Sequence, residues 1–106
     1  MNKIYLSPEA ENDLSEIKKY ISEDLENPSA ALSMIKKITK NIRMLSEYSL
    51  IGTPLSSVTD VQGGYRYLVI DNYMVFYRTD EEKVYVDRIL YGRRDYLRIL
   101  FDNKEE

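Results

Sequence analysis

The sequence predicts a single α+β domain over residues 1–106: an N-terminal strand, an antiparallel helical hairpin packed on one face of an antiparallel sheet of about four strands, and a short C-terminal helix. Three observations carry this reading. Two long runs in the first half place apolar residues three or four apart, the spacing of a helix face. Three shorter runs in the second half alternate with period two and are separated by brief polar turns, the pattern of an antiparallel meander. At 106 residues the chain is long enough for one core and too short for two.

The elements follow in order. Lys3 to Leu6 is a short strand candidate. Ser7-Pro8-Glu9 then supplies a helix start, with a hydroxyl cap, proline at the first helical position and acid in the first turn. Ala10, Leu14, Ile17, Ile21 and Leu25 form one helical face, so the first helix runs to about Leu25. Asn27-Pro28 repeats the cap and proline, and Ala31, Ile35, Ile38, Ile42 and Leu45 make a second such face; the short link between the two forces an antiparallel pair. Lys36, Lys37, Lys40 and Arg43 fall largely off that face and read as a solvated surface.

Residues 49–64 hold Gly52, Pro54, Gly63, Gly64 and several Ser or Thr, which is loop composition. Leu50, Ile51, Leu55 and Val58 are positioned to pin this loop to the core. The strands of the meander are expected at 65–70, 73–79 and 84–91, joined through Asp71-Asn72 and through residues 80–83. Tyr96, Ile99 and Leu100 suit a closing helical turn or two. The sequence shows no internal repeat and no low-complexity segment.

Composition narrows the chemistry. The chain has no cysteine and no histidine, which excludes disulfide staples, thiolate catalysis, thiolate or imidazole zinc sites and a histidine general base. No metal site and no cofactor are expected. The formal net charge is −3, so bulk charge does not draw the molecule to polyanions. Nothing resembles a signal peptide or a membrane span, and a cytoplasmic location is expected.

The cations are unevenly placed: six of the seven arginines follow Gly64. Arg66, Arg88, Arg93 and Arg94 are expected to converge where strands end, a geometry suited to clamping phosphate or bracing a charged transition state. Asp87 and Asp95 stand close enough to pair with some of them, so an ordinary salt-bridge network is an equal reading. Tyr91 and Tyr96 flank the arginine pair; among ten tyrosines they are the stronger functional candidates, whereas Tyr67, Tyr77 and Tyr85 read as half-buried sheet residues. Strand parity sets Tyr65, Tyr67 and Val69 against Arg66, Leu68 and Ile70, and Tyr73, Val75 and Tyr77 against Met74, Phe76 and Arg78. Both sides are apolar, so the sheet is covered twice or leaves a groove open to a partner.

The ordered set of Ala10, Asp13-Leu14, Ile17, Tyr20-Ile21, Gly52-Thr53-Pro54-Leu55, Tyr65-Arg66, Val75-Phe76-Tyr77-Arg78 and Arg88-Ile89-Leu90-Tyr91-Gly92-Arg93-Arg94-Asp95 resembles the RelE/ParE family of toxins from bacterial type II toxin-antitoxin modules. The resemblance implies a protein that arrests growth when free, a tightly bound cognate antitoxin, and a possible hetero-oligomer of the two. It implies two different targets. ParE-like members poison DNA gyrase by protein contact, with Arg88, Tyr91, Arg93 and Arg94 as target contacts in this chain. RelE-like members are metal-independent endoribonucleases that cut messenger RNA on the ribosome, and Arg66, Arg94 and Tyr96 are the catalytic candidates under that reading.

The chain departs from the RelE pattern in places that matter. Leu68 and Met74 stand where that pattern has lysine and arginine, and Leu100 where it has a C-terminal tyrosine, so a proton-transfer group is missing from its expected place. Leu68, Met74 and Phe76 are instead expected to form an apolar groove that an extended or helical antitoxin segment covers. The gyrase-directed reading is favoured, with ribonuclease the alternative.

Overall fold

A computed structural model describes residues 1–57, 64–92 and 96–101. Strand β1 (Lys3–Leu6) leads into helix α1 (Pro8–Lys19), which relaxes into one π-helical turn over Tyr20–Asp24. Helix α2 (Pro28–Arg43) follows and tightens at its end into a 3₁₀ turn, Met44–Ser46. Next come β2 (Thr53–Pro54), β3 (Arg66–Ile70), β4 (Tyr73–Asp80), β5 (Lys83–Tyr91) and helix α3 (Tyr96–Phe101).

Both helix starts form as their sequences dictate. The Ser7 hydroxyl accepts from the Ala10 N–H at 2.9 Å and donates to the Asp87 carbonyl at 2.7 Å, so one side chain caps α1 and ties its start to β5. The Asn27 side chain accepts from the Ala30 N–H at 3.1 Å to cap α2. Between the helices Glu26 adopts a left-handed φ of 52°, which lets the chain reverse in three residues.

The sheet has five strands in the order β1-β5-β4-β3-β2. It is mixed rather than antiparallel, because β1 lies parallel to β5, pairing Lys3 with Lys83 and Leu6 with Val86. A parallel pair requires a long connection, and here it runs through the helical hairpin and then β2, β3 and β4. The expected count of about four becomes five because Thr53 and Pro54, inside the segment read as loop, pair with Tyr67 and Arg66. Pro54 is tolerated there because β2 is an edge strand. Both hairpin loops have two residues, and Asp71 and Glu81 carry the positive φ such turns need.

Two apolar layers cover the sheet. On the hairpin side, Ile70, Val75, Tyr77, Val84, Val86 and Ile89 meet Ala10, Ile17, Ile21, Ala31, Ile38, Ile42 and Leu45. On the other side, Leu55, Phe76 and Leu90 are fully buried beneath Tyr96, Leu97, Leu100 and Phe101 of α3. This second layer overturns the expected open groove. Pairing of Leu68 with Val75, and of Tyr67 with Phe76, puts Leu68 on the hairpin side and Phe76 on the far side. Leu68, Met74 and Phe76 therefore share no common surface, and α3 roofs the part that Met74 and Phe76 do share.

Candidate functional site

The residues singled out for function fall into four places. Arg66 projects toward the loop after α2, where its guanidinium donates to the Gly52 carbonyl at 2.7 Å and the Leu50 carbonyl at 3.2 Å. Two backbone acceptors hold it, and among the described residues it is apart from Arg88. Arg88 sits where β5 bulges: Tyr77 pairs with Val86 and Phe76 with Arg88, which leaves Asp87 as the extra residue. Past the bulge the Arg88 guanidinium binds the Asp13 carboxylate of α1 at 2.8 and 2.9 Å. Its hydrogen bonds to Asp13 raise its pKa above the ordinary arginine value against the opposing effect of burial.

Tyr96 lies at the start of α3 with its ring 5.1 Å from that of Phe76, as part of the second apolar layer. Tyr91, at the end of β5, makes an edge contact with Tyr73 at 5.8 Å and keeps a face toward solvent. Arg93 and Arg94 lie outside the described residues, as do Asp95 and Val58. The structure thus separates Arg66, Arg88 and Tyr96 instead of gathering them.

The sequence offers Asp87 as a partner for some of Arg66, Arg88, Arg93 and Arg94, and the arginine that binds it is outside that set. Arg78 of β4 takes it, Nε to Oδ2 at 2.9 Å, and lies 5.6 and 5.8 Å from the ring centres of Tyr65 and Tyr85. The Tyr65 hydroxyl donates to the same carboxylate at 2.7 Å. Burial first, and then this bond to Asp87, push the Tyr65 phenol up to about 12. Alternation gave Arg78 the far side of the sheet; its match with Asp87 depends on the bulge, which no local sequence signal marks.

A concavity does open, on the hairpin side. It has a volume of about 590 Å³ and lies between the α1–α2 corner and the sheet end where β4 begins and β5 finishes. Ile17, Ile21, Leu25, Met34 and Ile89 supply an apolar floor and walls, with the three tyrosines Tyr20, Tyr73 and Tyr91 and the acids Asp13 and Glu16 around them. Burial pushes the Tyr73 phenol up, and the neighbouring Tyr20 and Tyr91 phenols add to the shift. The π-helical turn widens α1 at this corner, and Tyr20 and Leu25 remain exposed there. The lining suits an apolar anchor accompanied by a cationic side chain, since carboxylate and tyrosine faces both attract cations.

Among the described residues no group of three or more Asp and Glu is placed to hold a metal ion, and no helix is long and apolar enough to cross a membrane. A family model described as the ParE toxin of type II toxin-antitoxin systems, parDE, matches residues 4–96. Among solved structures, a chain from the chromosomal ParDE toxin-antitoxin system of P. aeruginosa shares the fold. Its TM-score is 0.72 at 20% identity, over 86% of this chain and 96% of that one. No curated protein matches the sequence.

Proposed function

Because this chain belongs to the ParE toxin family of type II toxin-antitoxin systems, we propose that it arrests growth when free by binding and inhibiting DNA gyrase, and that a cognate antitoxin silences it by filling the tyrosine-rimmed cavity. The observation that carries a binding mechanism over RNA cleavage is the engagement of the sheet arginines. Arg66 is held by two carbonyls, Arg78 by Asp87 and Arg88 by Asp13. A phosphate clamp needs guanidinium groups free to turn toward the ligand, and each of these three is committed to an acceptor within the protein, Arg78 in a pair that still faces solvent. Tyr96, the candidate proton-transfer group, has its ring against Phe76.

The family match and the likeness to a chain from a ParDE system support an antitoxin partner. The cavity is the surface best shaped for it, because a helical or extended segment binds through a few apolar anchors seated in a concave, mostly apolar site. Target contact is assigned to the end of β5 and the residues that follow, Tyr91, Arg93 and Arg94, with Arg88 supporting that end rather than touching the target.

The test is a gyrase supercoiling assay with purified chain, alongside mapping of messenger-RNA ends after induction in cells. Supercoiling falls with added chain, and Arg94→Ala removes the inhibition. Unimpaired gyrase together with early new RNA ends inside codons overturns the reading in favour of a ribonuclease. For the cavity, Tyr20→Asp leaves inhibition of the target measurable but weakens neutralisation by the antitoxin; full neutralisation of this variant would remove the antitoxin from this site.

A further inference from the structure

Helix α2 holds four of the chain's 15 basic residues, Lys36, Lys37, Lys40 and Arg43, and none of its 18 acidic ones. All four are exposed. Lys37 pairs with Asp71 at 2.9 Å, whereas among the described residues no ion pair engages Lys36, Lys40 or Arg43. Spacing of i, i+4 and i+7 puts these three on one stripe of the helix.

That stripe runs into an unusual loop. The Tyr48 N–H bonds the Met44 carbonyl at 3.0 Å and the Ile51 N–H bonds the Tyr48 carbonyl at 3.1 Å, so the chain winds on directly from the end of α2. Tyr48, Leu50 and Ile51 are then 58%, 61% and 54% exposed. The loop is nevertheless firmly held from beneath. The Tyr77 hydroxyl donates to the Ser49 carbonyl at 2.8 Å and accepts from the Gly52 N–H at 2.9 Å. Arg66 supplies the two further bonds already described, to Leu50 and Gly52. Four side-chain bonds from the sheet thus fix a backbone whose large apolar side chains face water.

We propose that the cationic stripe of α2 and the fixed 48–51 loop together form a docking surface for an acidic, amphipathic segment of a partner protein, with Arg66 and Tyr77 as the positioning residues that hold the loop ready. Preorganisation of this kind lowers the ordering cost of association. Charge selects an acidic partner. The exposed Met44, Leu50 and Ile51 outnumber the one exposed aromatic, Tyr48, and select a protein, because nucleic acid bound without sequence preference relies on successive aromatic stacking platforms. The surface uses the C-terminal half of α2, whereas the cavity draws on Ala30 and Met34 in the N-terminal half. The assignment therefore stands independently of the antitoxin site and of the gyrase reading.

The experiment is a titration of the isotopically labelled full chain, followed by amide NMR, with three probes. One is a synthetic amphipathic helix bearing glutamates at i, i+4 and i+7 beside leucines, one is the same peptide with lysine for glutamate, and one is single-stranded DNA. Shifts on adding the acidic peptide concentrate in residues 36–51, and binding weakens about tenfold in the Leu50→Ser, Ile51→Ser variant. Reversal by Lys36→Glu, Lys40→Glu and Arg43→Glu transfers binding to the lysine peptide. Arg66→Met speeds hydrogen exchange at residues 49–52 and weakens acidic-peptide binding to a similar degree; should that variant not fold, Tyr77→Phe serves the same purpose. Shifts centred on the cavity, binding of DNA but not of the acidic peptide, or no binding of either would overturn the proposal.

Discussion

Arg88 and Asp13, 75 residues apart, are joined by two parallel bonds of 2.8 and 2.9 Å, Nε to Oδ2 and Nη2 to Oδ1. The Asp13 carboxylate also accepts from the Ile89 N–H at 2.9 Å. β1 pairs with β5 only as far as Val86, so beyond that point the edge of β5 would present an unpaired donor. Asp13 satisfies it from the side of a helix. The same carboxylate fixes how α1 lies on the sheet and forms part of the cavity wall, which links the packing of the fold to the proposed antitoxin site.

Replacing Asp13 with alanine removes three bonds and leaves a buried N–H and a largely buried guanidinium without partners. Asp13 is 6% exposed, and loss of one member of a buried pair commonly costs several kcal/mol. The expected destabilisation is about 3 kcal/mol, since Arg88 keeps some access to water. Chemical denaturation measures it. A loss below about 1 kcal/mol, the range of surface pairs, would mean that the pair contributes little.

The contact between Gly52 and Tyr77 makes a second prediction. A Cβ built on Gly52 would sit 2.6 Å from the Tyr77 hydroxyl oxygen and 2.9 Å from the Tyr67 carbonyl oxygen. Gly52→Ala is expected to cost about 3 kcal/mol by overpacking. Tyr77→Phe, which deletes only the hydroxyl and its two bonds, costs about 1–2 kcal/mol. Combining them gives somewhat less than the sum, because the phenylalanine relieves the hydroxyl clash while the ring carbon Cε1 at 2.8 Å and the Tyr67 carbonyl remain. Strict additivity in thermal unfolding would show that the hydroxyl is not what excludes a side chain at position 52.

Helix α3 should behave as part of the fold rather than as a catalytic appendage. Tyr96→Ala removes the ring packed on Phe76, whose own exposure is 0%, and should cost about 2 kcal/mol while opening apolar surface to a hydrophobic dye. A variant that keeps wild-type stability and dye binding, yet loses toxicity, would instead place Tyr96 at a working surface.

The helices were legible from short-range signals: Ser7-Pro8 and Asn27-Pro28 begin them, and the three-four spacing of Ile17 and Ile21, or of Ile38 and Ile42, marks their buried faces. The hairpin strands were equally plain from alternation around Asp71-Asn72. What escaped was long-range. Nothing local in Lys3 to Leu6 shows that it runs parallel to β5, and nothing local in Thr53-Pro54 distinguishes an edge strand from a loop. Arg66 misled for the same reason. It was expected beside a phosphate and sits under a loop, because its partners are carbonyls of Leu50 and Gly52 that carry no side-chain signature. Family resemblance supplied the toxin reading; only coordinates showed α3 lying across Phe76.

The strongest pH effect is expected in alkali. The folded state holds the Tyr65 proton to about 12, whereas an unfolded tyrosine releases it near its ordinary value of about 10. Between those values the unfolded chain binds fewer protons than the folded one, so stability falls as pH rises. The contribution of the Tyr65 hydroxyl is therefore complete below about pH 10 and disappears as pH climbs through about 12. Burial raises Tyr73 and Tyr77 in the same direction, which steepens the decline. Tyr65→Phe should accordingly be less stable than wild type at neutral pH by about 1 kcal/mol, the net worth of its bond to Asp87. The gap should then narrow above pH 10 in urea titrations run at a series of pH values. A gap that stays constant to pH 12 would show that the phenol ionises alike in both states and that its bond to Asp87 does not hold the proton.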